Sequence, residues 1–313
     1  MATKKTEKPA PPVRTPKPKS VAAMANPLIE TSFRMEPHEL KLLLFVCSLI
    51  HEEDDFFTYG FTVEQAAQAL GRKFDKNHQS FYGDLMAWSK AILTRVVILP
   101  GFVPEEGDVP RTRITTFFDR FDYFDGRVEV TLKDWLKPYL LNLKSEFTRI
   151  AVRDFARLQS FYGLKLFMLL HQYRKIGRRK FTLPELRFSL GVEKGKYPEW
   201  GVFKRDVIDK AIKDLRGADL LEVETILHKR GRAVAEVEFR FYKPGQEERN
   251  VTPSPEEQAR LTLRMEHFAL WQKLKNGLQG ELGFDPDEEQ EELDRQADVA
   301  LAKEIENGRR DKD

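Results

Sequence analysis

The sequence contains a single cysteine, Cys47, and therefore neither an intramolecular disulfide nor a multi-cysteine zinc site is expected. Such sparse cysteine use fits a reducing compartment, and a cytoplasmic location is the expectation. No stretch approaches the ~20 apolar residues that a membrane helix requires, which argues against an integral membrane protein. The N-terminus is basic and proline-rich and lacks an apolar h-region, so no secretory signal is expected. The six histidines (His38, His51, His78, His171, His228 and His267) are scattered, and none has a ligand neighbour at metal-binding spacing. No phosphate-cradling loop is visible, because Gly191 to Lys196 (GVEKGK) has the wrong spacing. A His-x-His pair to hold a metal beside a nicking tyrosine is also missing. The acidic run Glu52-Glu53-Asp54-Asp55 reads as a solvated loop rather than a cation site. Nucleotide hydrolysis and metal-dependent strand nicking are thus disfavoured, and a protein without catalytic activity or cofactor is expected.

What is present is enough apolar material for sizeable cores. At 313 residues, 41% hydrophobic and 33% charged, the chain is sized for two domains and is not disordered throughout. Its net charge of +2 conceals a strong segregation. Residues 1–20 carry six Lys/Arg and one acid, and residues 21–143 carry 13 against 18. Residues 144–243 carry 23 Lys/Arg against 13 acids, a net +10, and residues 244–313 carry 10 against 18. A compact segment at +10 is a candidate footprint for a polyanion, because Lys and Arg neutralise phosphates and release counterions.

Periodicity divides the chain further. Residues 1–25 read as a disordered basic arm. From Met35 an apolar helix is expected, with Leu40, Leu43, Leu44, Cys47 and Ile50 on one stripe and Leu42, Phe45, Val46 and Leu49 filling other faces. A second helix should start at Thr62, where Gln65 stands at capping-box spacing and Gly71 acts as a stop. A third is predicted over 77–94. Strands are predicted over 95–99 and 114–124, and Asp125-Gly126 is a hairpin turn leading into the alternating Val128, Val130 and Leu132.

The second half repeats this order. A connecting helix is predicted over 135–143, then an apolar helix over 161–173 and a short strand ending at Phe181. A helix capped by Thr182 and Glu185 and stopped by Gly191 follows, and then one over 200–215. Strands over 221–228 and 234–241 enclose the basic turn Lys229-Arg230-Gly231-Arg232. After Pro244 the composition turns polar and acidic. Ser254-Pro255-Glu256-Glu257 predicts a helix start, and the helix runs to about residue 276.

Three helices followed by a hairpin make the winged-helix form of helix-turn-helix, in which the third helix enters a major groove and the wing lies along phosphates. The expected fold is α+β, mainly helical: two tandem winged-helix domains over 26–143 and 144–243. The basic arm precedes them, and an acidic, partly helical extension over 244–313 follows.

The chain resembles the plasmid replication initiators that bind directly repeated origin sites (iterons). The resemblance rests on Asn26-Pro27-Leu28-Ile29, Arg149, and Phe161-Tyr162 through Gln172-Tyr173-Arg174. It continues with Tyr197 through Phe203-Lys204-Arg205 to Ala211-Ile212, and with Val237-Glu238-Phe239-Arg240-Phe241. It covers about residues 26–242. It departs from the family at Lys213-Asp214-Leu215, where Glu-Ile-Asn is common, and that departure bears on base preference. The resemblance implies binding of double-stranded origin repeats, origin opening, and recruitment of a host initiator ATPase and replicative helicase. It also implies a homodimer in equilibrium with a DNA-binding monomer, the first domain serving dimerisation. The same residues would serve a tandem winged-helix transcriptional regulator, which remains the alternative.

On a helical wheel Asp206, Lys210 and Lys213 point away from the apolar stripe, Arg205 flanks it, and Lys204 lies near the stripe in the first turn. Lys204 and Arg205 are the expected base readers, since Arg and Lys pair with guanine O6 and N7. Lys210 and Lys213 are expected at phosphates. The rival is a surface pair between Arg205 and Asp209. At the wing tip, Lys229, Arg230 and Arg232 are expected at phosphates. In the first domain, Lys76, Asn77, His78, Gln79 and Ser80 open the third helix and are candidate DNA contacts. Arg149, Arg153 and Arg157 recur every four residues and would share a face if that segment is helical.

Overall fold

A computed structural model describes residues 13–15, 18–51, 58–74, 80–102, 111–141, 143 and 147–245. In chain order it begins with β1 (Val21–Ala25), α1 (Asn26–Glu30), β2 (Ser32–Phe33), α2 (Pro37–Leu49), β3 (Thr58–Thr62), α3 (Val63–Ala69) and α4 (Ser80–Ile92). Next come β4 (Val96–Phe102), β5 (Arg111–Thr116), β6 (Phe118–Phe124), β7 (Arg127–Leu132), α5 (Lys137–Leu140), β8 (Phe147–Ala151) and α6 (Val152–Arg157). The chain continues through α7 (Phe161–His171), β9 (Arg178–Thr182), α8 (Leu183–Ser189), α9 (Trp200–Phe203), α10 (Lys210–Gly217), β10 (Glu222–Arg230) and β11 (Ala233–Tyr242). Two units form. Among the described residues, one gathers those within 1–28, 35–95 and 116–158, and the other gathers those within 29–34, 96–115 and 159–245.

The first unit is built around α2, whose residues from Glu39 to Leu49 are buried apart from Lys41. Pro37 occupies its first turn, where a missing N–H costs nothing. The Glu36 N–H donates to Glu39 Oε2 at 2.9 Å, and Arg95 Nε and Nη2 donate to the two oxygens of Glu39 at 2.7 and 2.8 Å. A buried carboxylate is tolerable because both of its oxygens are bonded. The cap of α3 is as the spacing predicts: Gln65 N donates to Thr62 Oγ1 at 3.1 Å and Thr62 N to Gln65 Oε1 at 2.8 Å. The wing is the β6–β7 hairpin, turned by Asp125 (φ 47) and Gly126 (φ 70), with β3 on the far side of β7.

Several sequence expectations are corrected here. Residues 21–25 are not part of a disordered arm, because β1 pairs antiparallel with β8 and buries Ala22 and Met24. Arg14 also forms a parallel bridge with Tyr59 beside β3. The strand expected over 114–124 is two strands, since Phe117 and Phe118 are both buried and a continuous strand turns successive side chains to opposite faces. A bulge between Phe118 and Arg120 marks the irregularity. The helix expected over 135–143 is a 3-10 turn (Asp134–Leu136) followed by the short α5. The β1–β8 pair carries residues 147–158 into the first unit, past the expected division at 143/144.

The second unit repeats the order helix, strand, helix, helix, hairpin: α7, β9, α8, the helix from Trp200, and β10–β11. Its sheet runs β10-β11-β9. Thr182 and Glu185 close the second capping box, and Gly191 ends α8 at φ +66. The core helix α7 buries residues 163–170 continuously, including Lys165. The segment 29–34 joins this unit. Lys165 Nζ donates to the carbonyls of Ile29 and Thr31, Phe33 meets Phe161 edge-on, and Arg34 lies over the rings of Phe161 and Tyr162. β2 pairs with β4, so the β4–β5 pair also belongs here. The helix predicted from Ser254 and the acidic stretch after it lie outside the described residues.

Candidate nucleic-acid interface

The second unit presents one helix and one wing in the order its fold requires. The helix is continuous from Trp200 to Gly217, but its middle, Lys204–Asp209, is a π turn, which the helical spacing did not predict. It buries Phe203, Val207, Ile208, Ala211, Ile212 and Leu215 and packs on α7 and β10. The loop before it is pinned by Arg187, which donates to the carbonyls of Lys196 (3.2 Å) and Tyr197 (2.7 Å) and lies 4.3 Å over the ring of Phe203.

The outward row is where the structure adds most. Lys204 Nζ donates to both oxygens of Asp209, at 2.7 and 2.8 Å. Residues five apart line up in a π turn, whereas an α-helix would separate them by well over a quarter turn. Arg205 therefore does not pair with Asp209, as one sequence reading had it. Its Nη2 donates to Asp206 Oδ2 at 2.6 Å, and Lys210 reaches Asp206 Oδ1 at 3.0 Å. Hydrogen bonds from Arg205 and Lys210 hold the Asp206 carboxyl down at about 2, and the bond to Asp206 pushes the Arg205 guanidinium up. Lys213 is exposed and has no ion pair among the described residues.

The wing tip differs. Lys229 and Arg230 end β10 opposite Val234 and Ala233, after a bulge at His228/Lys229, and Gly231 (φ +63) and Arg232 make the turn. All three cations are exposed, and none has an ion pair among the described residues. Acids lower on the same sheet are already engaged: Glu236 with Lys180 (3.1 Å), Glu238 with His228 (2.9 Å) and Glu222 with Arg216 (3.0 Å).

The remaining predicted residues are not gathered with these. Lys76, Asn77, His78 and Gln79 lie outside the described residues, and Ser80 is exposed as the first residue of α4. The first wing turns on Asp125, where the second wing carries cations. Arg149, Arg153 and Arg157 do not share a helical face. Arg149 sits on β8, paired with Ala23, its guanidinium 4.9 Å from the centre of the Phe147 ring. Arg153 is exposed on α6 beside Asp154 at 3.6 Å. Phe147–Ala151 alternates, burying Thr148 and Ile150, and so folds as a strand.

Sequence reasoning missed Asp206, Asp209 and Asp214 as functional or positioning groups. The first two carried a signal, acids spaced one, four and five residues from cations. The third carried none, because its partners are distant in the chain. Among the described residues no group of three or more His, Cys, Asp or Glu is placed to hold a metal, and no helix is long and apolar enough to cross a membrane.

Comparison with known proteins gives two family matches. Residues 21–171 match the model described as initiator replication protein, WH1, and residues 182–241 match initiator Rep protein, WH2. The "PI protein" of Escherichia coli is 26% identical over 134 residues, which is 37% of this chain and 44% of that protein, so the match spans less than half of the relative. A crystal structure of Pi initiator protein in complex with iteron DNA matches with a TM-score of 0.58 and 19% identity, over 73% of this chain and 99% of that one. A structure of domains 2 and 3 of RctB matches at a TM-score of 0.36 and 10% identity, over 73% of this chain and 94% of that one.

Proposed function

Because this chain belongs to the initiator replication protein family and carries both of its winged-helix portions, we propose that it binds repeated sites in duplex DNA at a plasmid origin and starts replication there. The observation that carries this reading is the pairing, within one winged helix, of a cation-studded helix with a wing tip of three unpaired cations. Lys204 and Arg205 read base edges, each good bidentate contact giving about 1–3 kcal/mol of discrimination. Lys210, Lys213, Lys229, Arg230 and Arg232 meet phosphates. The first unit, whose wing turns on an acid, grips more weakly, through Ser80 and the residues just before it. The work is done by binding energy and DNA deformation, with no covalent step; bending a site costs on the order of 1–6 kcal/mol, offset by added contacts.

Under this reading the protein acts in the cytoplasm and exchanges between a homodimer and a DNA-binding monomer. It recruits a host initiator ATPase and a replicative helicase, as the relationship to iteron-binding initiators suggests. Footprinting on the DNA that flanks the gene tests it. Protection of direct repeats spaced by about two helical turns supports initiation, and a lone inverted operator would favour a transcriptional regulator. Arg205→Ala should cost sequence preference. Lys229→Ala should weaken all sequences alike and reduce the salt slope by about 1.

A further inference from the structure

Three of the helix's cations and the three at the wing tip are treated differently by their own protein. Lys204 is clasped by both oxygens of Asp209, and Arg205 and Lys210 share Asp206, while Lys229, Arg230 and Arg232 stand open. Exposed pairs of this kind contribute little to folding. They matter when a polyanion arrives. Duplex DNA carries a charge about every 1.7 Å along its axis. A phosphate that approaches Lys204 or Arg205 must also approach the carboxylate bonded to it.

We propose that Asp206 and Asp209 are specificity-determining residues: they hold the base-reading cations Lys204 and Arg205 back from generic phosphate contact and, at the cognate site, accept hydrogen bonds from exocyclic amino groups of bases in the major groove. Cytosine N4 and adenine N6 offer such donors there, and a carboxylate that faces one is no longer unpaired. At a wrong sequence the same carboxylate meets an acceptor or a phosphate and repels it, so the pair rejects as well as selects. The π turn is the local device, since it aligns Lys204 with Asp209 five residues on, so that a phosphate reaching this exposed cation must compete with the carboxylate already bonded to it. The wing tip, free of acids, supplies the grip that every sequence shares.

The inference rests on the duplex-binding reading, and one experiment separates the two. Affinity for the footprinted duplex and for a scrambled duplex of equal length is measured across a salt series, for wild type and for Asp206→Asn, Asp209→Asn and Asp209→Glu. Asp219→Asn removes one negative charge from the turn after the helix and serves as the control. For each Asp→Asn variant, affinity for the scrambled duplex should rise about 10-fold, that for the footprinted duplex should rise less or fall, and the ratio should drop about 10-fold. Their salt slope on the scrambled duplex should steepen by about 1. Asp209→Glu keeps the charge but displaces the acceptor, so it should lose cognate affinity without gaining scrambled affinity. The inference is overturned if both Asp→Asn variants keep the wild-type ratio, or if Asp219→Asn lowers it equally. A wild-type protein indifferent to sequence would overturn the functional reading, and the inference with it.

Discussion

The carboxylate of Asp214, on α10, caps the helix that begins beside Ser160. It accepts from the Gln159 N–H (3.0 Å), the Ser160 N–H (2.8 Å) and Ser160 Oγ (2.7 Å), and Ser160 Oγ in turn accepts from Gly163 N (2.9 Å). One acid thereby ties the helix from Trp200 to the core helix α7. Within Lys213-Asp214-Leu215, Asp214 has this structural task and is not free to read bases. Asp214→Ala removes the acceptor of the part-buried Ser160 N–H and hydroxyl, and should destabilise the protein by about 2 kcal/mol. Urea unfolding of the two proteins checks this, and an unchanged midpoint would show the cap to be dispensable.

Short-range signals were readable and long-range ones were not. Both capping boxes, the Asp125-Gly126 turn and the buried face of the helix from Trp200 depend on residues a few positions apart, so spacing alone exposes them. The β1–β8 pair joins Val21 to Ala151, and neither strand announces the other. Asp214 and Ser160 are equally remote. The π turn escaped for a different reason: its buried residues, Val207 and Ile208, satisfy an α-helical stripe as well. The residues of the candidate interface were accordingly nominated by residue type and position, whereas the pairing of Lys204 with Asp209 and of Arg205 and Lys210 with Asp206 was not foreseen.

Gly71 and Gly191 end equivalent helices with the same φ of +66, yet they should respond differently to substitution. A Cβ at Gly71 meets open space, so Gly71→Ala pays only the left-handed backbone strain, about 1–2 kcal/mol. At Gly191 the Cβ would overlap the carbonyl of Phe33, in the segment that Lys165 holds. Gly191→Ala must therefore shift backbone as well, and should cost about 2 kcal/mol more than Gly71→Ala. Thermal unfolding of the two variants makes the comparison, and equal losses would show that the close approach carries no energy.

Cys47 lies in the buried face of α2, and burial pushes its thiol up to about 12. At pH 8 the thiolate fraction is then on the order of 10⁻⁴, and reagents are sterically excluded too. Alkylation of native protein should be very slow and should accelerate with added denaturant in step with unfolding. Stoichiometric labelling within seconds under native conditions would contradict this packing.

Lys165 makes the stability of the second unit depend on pH. Its amine is fully buried and pushed down to about 7 by burial, with Glu30 pulling upward and Arg179 adding to the downward shift. A neutral amine still has two N–H groups, and the carbonyls of Ile29 (2.7 Å) and Thr31 (3.0 Å) use both. In the unfolded chain a lysine titrates near 10.4, so between about 7 and 10 the unfolded state binds a proton that the folded state has released. Unfolding therefore becomes harder as pH rises through that window, by up to about 1.4 kcal/mol per pH unit from this group, and the contribution levels off below about 7, where both states are protonated. Lys165→Met should abolish this share of the slope while leaving the two carbonyls unbonded. Urea unfolding of both proteins at about pH 6, 7.5 and 9 measures it as the difference between two curves. Parallel curves would mean that Lys165 keeps its proton inside the fold, stabilised by the Phe33 ring 3.9 Å away and by Glu30.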